Sequence, residues 1–211
     1  MESHSCRSLL ALQYLLSLLL LFISINIIFN IHTTSATSYN SSTVYKLYVK
    51  NSCNSTLYPQ KCYESLSSYS TKIKSDPKRL CRYAIYVAYI DAKTASSTAV
   101  KISKTKGLKA TEKEVITDCV ENIKDSVTEL KNSWRAMDNL ISGNGTLSED
   151  EKYQTVENVK SWVSAASTDD YTCTDEIEEE KVNPTMKSKL NKACLKLSKS
   201  TSIALAFTNS Y

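Results

Sequence analysis

The sequence predicts an all-α fold: an up-down-up-down four-helix bundle with an N-terminal helical hairpin packed on one end. Three observations carry the prediction. Glycine and proline are scarce, at three residues each in 211, so long helices run without breakers. Apolar residues recur at steps of three and four along four long stretches. Capping signals and short turns separate those stretches, and short turns between long helices make antiparallel neighbours.

The chain opens on a leader. Residues 9–31 are leucine-rich and follow Arg7, which describes a secretory signal over residues 1–36. The small residues Thr34-Ser35-Ala36 place the expected cut after Ala36. The apolar run is also long enough to span a bilayer, which leaves an uncleaved anchor as the other reading. Cleavage removes Glu2 and Arg7, so the net charge stays at +4, from 25 basic and 21 acidic residues. That mild balance is no nucleic-acid footprint. With the leader gone, no membrane segment is expected. An exported chain also makes three glycan acceptor triplets usable, at Asn40, Asn54 and Asn144.

Residues 37–211 suit one domain. The hairpin is expected over about 44–72. Val44, Leu47, Tyr48 and Leu57 supply its apolar side chains, Tyr58-Pro59 breaks it, and Cys53 with Cys62 closes it. The bundle follows over about 76–208. Asp76 caps its first helix and Pro77 takes the first helical position. Leu80, Ala84, Val87, Ala88, Asp91, Ala95, Thr98 and Ile102 line that helix, and Gly107 ends it. A capping box at Thr111–Glu114 opens the second helix, with a stripe from Ile116 through Cys119, Ile123, Val127, Leu130, Trp134 and Met137 to Ile141.

Gly143-Asn144-Gly145 makes the next turn. A second box at Ser148–Glu151 opens the third helix, lined by Tyr153, Val156, Val159, Val163 and Ala166. The acidic run from Asp175 to Glu180 reads as a solvated linker. Asn183-Pro184 starts the last helix, carried by Met186, Leu190, Ala193, Leu197, Ala204 and Phe207. Tyr83, Tyr86 and Tyr89 read as solvent-facing or rim groups rather than a cofactor box.

The topology makes a geometric prediction. Cys119 lies 26 residues before the turn at 145 and Cys173 lies 28 after it, so an antiparallel pair brings them level. A bridge needs Cα atoms within roughly 7 Å. Chain-entropy arithmetic gives roughly 3 kcal/mol for Cys53–Cys62 and roughly 4 kcal/mol for Cys119–Cys173. Cys81 and Cys194 differ in height by roughly 15 Å at the helical rise. They are expected unpaired, as small buried apolar side chains. The alternative is a third bridge permitted by a bent or shifted helix.

Several chemistries are excluded. His4 and His32 are the only histidines and both fall in the leader, so the mature chain has no Ser-His-Asp or Cys-His site. The cysteines are too dispersed for structural zinc, and no Gly-rich phosphate loop follows a strand. The carboxylates of 175–180 lack the two distinct environments that glycoside hydrolysis needs. No catalysis and no cofactor are expected. A rigid binding surface is.

Three segments carry a family resemblance: SCNSTLYPQKCYESLSSYS at 52–70, DCVENIKDSVTEL at 118–130 and VSAASTDDYTCTDE at 163–176. On these the chain resembles the plant invertase and pectin methylesterase inhibitors over nearly all of 44–208. The resemblance implies a four-helix bundle with two disulfides, secreted to the apoplast and cell wall. Inhibitors of acid invertase carry a Pro-Lys-Phe segment between the second and third bundle helices, where this chain has GNGTLSEDEKYQ. The stretch STDDYTCTDE is similar to the branch that inhibits pectin methylesterase, so that enzyme is the implied partner and acid invertase the alternative. Carried over by motif, the implied target contacts are Glu121, Asp125, Thr172 and Asp175. Ile123 and Ile177 stand where the family often has an aromatic. A non-inhibitory cell-wall bundle is the reading from a different class.

Overall fold

The computed structural model describes residues 17–21, 23, 41–143, 147–179 and 182–210. Contacts divide the chain into two units, 1–40 and 41–211. In the first, the described residues are helical, and Leu18 to Leu21 and Ile23 are exposed. The cut expected after Ala36, and Asn40, lie outside the described residues. Among the described residues, no helix is long and apolar enough to cross a membrane.

The second unit begins with the hairpin. It comprises α1 (Ser41–Cys53), α2 (Pro59–Leu66), a 3-10 turn (Ser67–Tyr69) and the short α3 (Ser70–Ile73). Pro59 sits in the first turn of α2, where a missing N–H is harmless. Cys53 and Cys62 are bridged with Cα atoms 5.5 Å apart. The hairpin core differs from the expected one. Val49, Leu66 and Ile73 are fully buried, whereas Val44, Leu47 and Leu57 are exposed. Turn spacing alone did not say which face of α1 meets the bundle. Lys74 and Ser75 then take left-handed backbone, with φ of 54° and 58°, and swing the chain into the first long helix.

Four long helices follow: α4 (Pro77–Ser103), α5 (Ala110–Ser142), α6 (Glu149–Glu179) and α7 (Pro184–Asn209). Three caps form as the sequence predicts. The Asp76 carboxylate accepts from the N–H groups of Lys78 at 2.8 Å and Arg79 at 3.2 Å. Ser148 and Glu151 cap each other reciprocally, at 2.8 Å and 3.2 Å. The Asn183 side chain accepts from Thr185 and Met186.

Four expectations need correction. α4 ends at Ser103, ahead of Gly107, which instead takes a φ of 79° in the connection to α5. α5 is capped from Lys109 and not from Thr111. Glu112 reaches back to the Lys109 N–H at 2.9 Å and also accepts from the Asn183 N–H at 2.9 Å. The acidic run is helical through Glu179, because Cys173 and Ile177 beneath it are buried and hold it on the bundle. Tyr153 is 63% exposed and does not line α6.

Each long helix packs on the next, and α7 closes on α4. Polar rungs give the directions. Arg82 bonds Asp138 across α4 and α5 at 2.6 Å. Ser126 bonds Asp170 across α5 and α6 at 2.9 Å. Thr201 bonds Asp170 across α6 and α7 at 2.8 Å. With the Cys119–Cys173 bridge, and with Cys194 Sγ at 3.5 Å from Cys173 Sγ, residue numbers rise on one helix as they fall on its neighbour.

Small residues let α4 approach closely: Ala84, Ala88, Ala92, Ala95 and Ala99 are all buried. The opposite side of the core is filled by Ile116, Ile123, Leu130, Met137, Val159, Val163, Leu190 and Leu197. Trp134 and the tyrosines form a half-buried cluster. Tyr69 of the hairpin stacks on Tyr83 at 5.0 Å, and Tyr86 and Tyr89 flank Trp134 at 5.3 Å and 6.0 Å. Arg82 lies over the rings of Tyr83 and Trp134. This cluster pins the hairpin to α4, since offset and edge contacts between rings add to simple burial.

Candidate functional site

The seam between α5 and α6 carries an acidic strip. On α5, Glu114, Asp118, Glu121, Asp125 and Glu129 follow one another at steps of four, three, four and four. On α6, Asp169, Thr172, Glu176 and Glu179 follow at steps of three, four and three. Each series lies on one helical face. The Cys119–Cys173 bridge, with Cα atoms 4.6 Å apart, locks the two faces side by side. Beneath the strip Ile123 and Ile177 are fully buried, so the positions where the family often has an aromatic here serve the core.

At one end of the strip, Glu114, Asp118, Glu176 and Glu179 line a groove of about 250 Å³ with Thr111 and Val115. Burial, with the Asp118 charge adding to it, raises the Glu176 carboxyl above its ordinary value. At the other end Glu129 meets Asp169. Burial pushes Glu129 up to about 7, and the charges of Asp169, Asp125 and Asp170 push the same way. Its Oε2 is buried with no N–H or hydroxyl in reach. Burial and the Asp125 charge raise Asp169 as well, with the Glu129 side chain opposing the rise.

Directly below, Asp170 is fully buried and accepts from Ser126 and Thr201. Burial raises it to about 7, although both hydroxyls favour the charged form.

Among the described residues, no salt bridge joins any carboxylate of the strip to a lysine or arginine. Their field is therefore directed outward, and a partner cation or donor meets no internal competitor. Among the same residues no group of three or more side chains is placed to hold a metal ion.

Of the four residues singled out by motif, Glu121, Asp125 and Thr172 belong to the two series of this strip, and Asp175 lies outside them on the solvent side of α6. Glu121 and Asp125 are exposed on α5, one turn apart and just beyond Cys119. Thr172 and Asp175 are exposed on α6 beside Cys173. The Thr172 hydroxyl donates to the Thr168 carbonyl at 3.0 Å, which leaves its oxygen free to accept. Sequence reading missed Glu129, Asp169 and Glu176. The four-three spacing of acids on α5 was a usable signal for the strip. Of the glycan acceptors, Asn54 is exposed in the turn after α1, and Asn144 lies outside the described residues. Cys81 and Cys194 are free and buried, on opposite sides of the Asp91–Ser200 rung between α4 and α7, and burial pushes both thiols up to about 12.

Comparison with known proteins gives the same fold and a family. Residues 47–207 match the profile described as plant invertase/pectin methylesterase inhibitor. The chain is 40% identical to pectinesterase inhibitor 4 of Arabidopsis thaliana over 183 residues, covering 86% of this chain and 89% of that one. It is 33% identical to a 21 kDa protein of Daucus carota, covering 78% of this chain and 83% of that one. A crystal structure of a mutant form of a pectin methylesterase inhibitor from Arabidopsis superposes with a TM-score of 0.56 at 18% identity, covering 74% of this chain and 92% of that one. A bridged helical bundle and a match this long together place the protein: the chain belongs to the plant invertase/pectin methylesterase inhibitor family.

Proposed function

We propose that the mature chain is a secreted inhibitor of pectin methylesterase that acts by reversible, stoichiometric blockade. In this reading the α5–α6 face lies across the enzyme's pectin-binding cleft, with Glu121, Asp125, Thr172 and Asp175 among its contacts. One observation carries the proposal: a row of carboxylates without internal cations stands on two helices cross-linked through Cys119 and Cys173. A face fixed in this way has little conformational freedom to lose on binding. Its charge favours fast encounter with a complementary surface and fixes register. No covalent step is involved, and the protein performs no catalysis of its own. The protein works in the apoplast and cell wall, and Asn40, Asn54 and Asn144 are its glycan acceptors.

The test is a titration of the purified mature protein into a pectin methylesterase and, in parallel, into an acid invertase. Esterase activity is expected to fall linearly to an end point at one equivalent while invertase activity holds. Loss of invertase activity alone would reassign the target, and loss of neither would leave a non-inhibitory bundle. The double variant Glu121→Lys/Asp125→Lys, which changes only exposed groups, is expected to weaken inhibition about tenfold or more.

A further inference from the structure

The bundle end that carries the α4–α5 connection is basic, in contrast to the strip. A cleft of about 660 Å³ runs between that connection and the start of α7, and it continues into a second of about 460 Å³ through the shared residues Thr105, Asn183 and Met186. Lys106, Lys109 and Lys187 line the first, and Lys101 and Lys189 line the second. Two helix starts converge on it, those of α5 and α7, and each presents the positive end of its dipole.

The carboxylate in the cleft lining, Glu112, is already engaged, as is nearby Glu178. The Glu112 carboxylate is buried and accepts from the Lys109 and Asn183 N–H groups, both at 2.9 Å, which holds it below the usual carboxylate range. Glu178 pairs with Lys187 at 3.0 Å and accepts from Asn191. Among the described residues Lys101, Lys106, Lys109 and Lys189 make no salt bridge, and all four are exposed. Between them the walls offer hydroxyls and an amide, from Thr98, Thr105, Thr185 and Asn183, and no aromatic ring.

We infer that this cleft is a second binding surface, for an acidic polysaccharide whose carboxylates pair with the lysines and whose hydroxyls meet the threonines. A groove that binds single-stranded nucleic acid adds aromatic side chains for base stacking, and this one has none. The cleft lies between the α4–α5 connection and the start of α7, whereas the strip runs along the α5–α6 seam. The wall setting is taken from the proposed function. The lysine geometry is independent of it.

The test contains no enzyme, so its outcome does not depend on inhibition. The mature protein is titrated calorimetrically with polygalacturonate, with fully methyl-esterified pectin, and with duplex DNA as a polyanion that is not a sugar. Binding to polygalacturonate alone is expected, weakening as salt rises. The variant Lys101→Glu/Lys106→Glu/Lys189→Glu is expected to lose roughly a hundredfold in affinity. The control Lys46→Glu/Lys50→Glu/Lys72→Glu makes the same charge change on the hairpin and is expected to bind as the parent does. Thermal melts of both variants establish that they fold. Equal losses in the two variants would reduce the effect to net charge and overturn the site. Binding to DNA as tight as to polygalacturonate would overturn the polysaccharide assignment, as would no binding at all.

Discussion

Two seams of the same bundle bury a carboxylate, and they treat it differently. Between α4 and α7, Asp91 is met by the Lys196 ammonium at 2.7 Å and the Ser200 hydroxyl at 2.5 Å. At the α5–α6 seam, Asp170 is met by hydroxyls alone, from Ser126 and Thr201, with Asp169 beside it in sequence. Both side chains are shielded from water, so depth does not separate them. The sign of the neighbouring charge does. Asp91 has a cation to pair with, whereas Asp170 is raised to about 7 by burial. One seam therefore pairs its acid with a cation, and the other holds its acid among hydroxyls, where burial favours the proton. The acidic seam is also the one that is cross-linked, which offsets the repulsion of its crowded carboxylates.

Removing the cross-link is the strongest way to break this contrast. Cys119→Ala/Cys173→Ala opens a loop with a sequence separation of 54, and the chain-entropy model puts the loss at about 4 kcal/mol. Both cysteines have to go, because Cys194 Sγ is 3.5 Å from Cys173 Sγ and would compete for a lone Cys173. Denaturant unfolding at pH 5 and pH 7.5 measures the cost. The loss is expected to be larger at pH 7.5, where more of the strip is charged and the helices repel. An equal loss at both values would show that the bridge does not restrain that repulsion.

How much of this was legible beforehand follows from how local each signal is. Asp76, Ser148 with Glu151, and Asn183 are caps whose partners lie within three residues, so the sequence places them correctly. The capping box of α5 was placed two residues late, at Thr111–Glu114, and the second partner of Glu112, the Asn183 N–H, comes from a distant segment that no local signal shows. The bridge between Cys119 and Cys173 was readable from symmetry about one turn. The pair Asp169-Asp170 was not. One side chain faces Glu129 and the other faces the core, and Ser126 and Thr201 on two other helices decide which does what. Ser126, Ser133, Ser200 and Thr201 sit at core positions where an apolar pattern leaves gaps, so the hydrophobic stripe says only that something polar is there. The basic cleft escaped notice because its lysines come from three segments that only the fold brings together.

Asp170 sharpens the comparison next. Its folded value is raised, so between about pH 4 and about 7 the folded chain keeps a proton that the unfolded chain has released. Stability from this group is fully present below pH 4 and is lost as pH rises toward 7. Asp170→Asn removes that dependence while keeping the shape. The Ser126 and Thr201 hydroxyls already reach the carbonyls of Ala166 and Leu197, at 3.2 Å and 3.0 Å, so they can turn to accept from the amide. The variant is expected to gain about 2–4 kcal/mol over the parent at pH 7.5 and little at pH 4. Melts at the two values measure the difference, and a gain of the same size at both would mean Asp170 is not the group that titrates.

The opposite seam gives the smallest effect and the most direct check on the sign rule. Lys196→Met keeps the stem that packs along α7 and removes the ammonium, leaving Asp91 buried with Ser200 as its remaining partner. Removing one partner of a fully buried pair costs several kcal/mol, but Lys196 is half exposed and water takes over part of its role, so about 1–2 kcal/mol is expected at pH 7. The more telling quantity is the slope. Without its cation Asp91 is left buried with one hydroxyl, and burial of an unpaired carboxyl favours its neutral form. The variant should then recover stability as pH falls from 7 toward 4, and its stability profile should come to resemble the contribution that Asp170→Asn removes. If Lys196→Met instead loses the same amount at both ends of that range, the ammonium contributes packing rather than charge, and the difference between the seams has to be sought in Ser126 and Thr201.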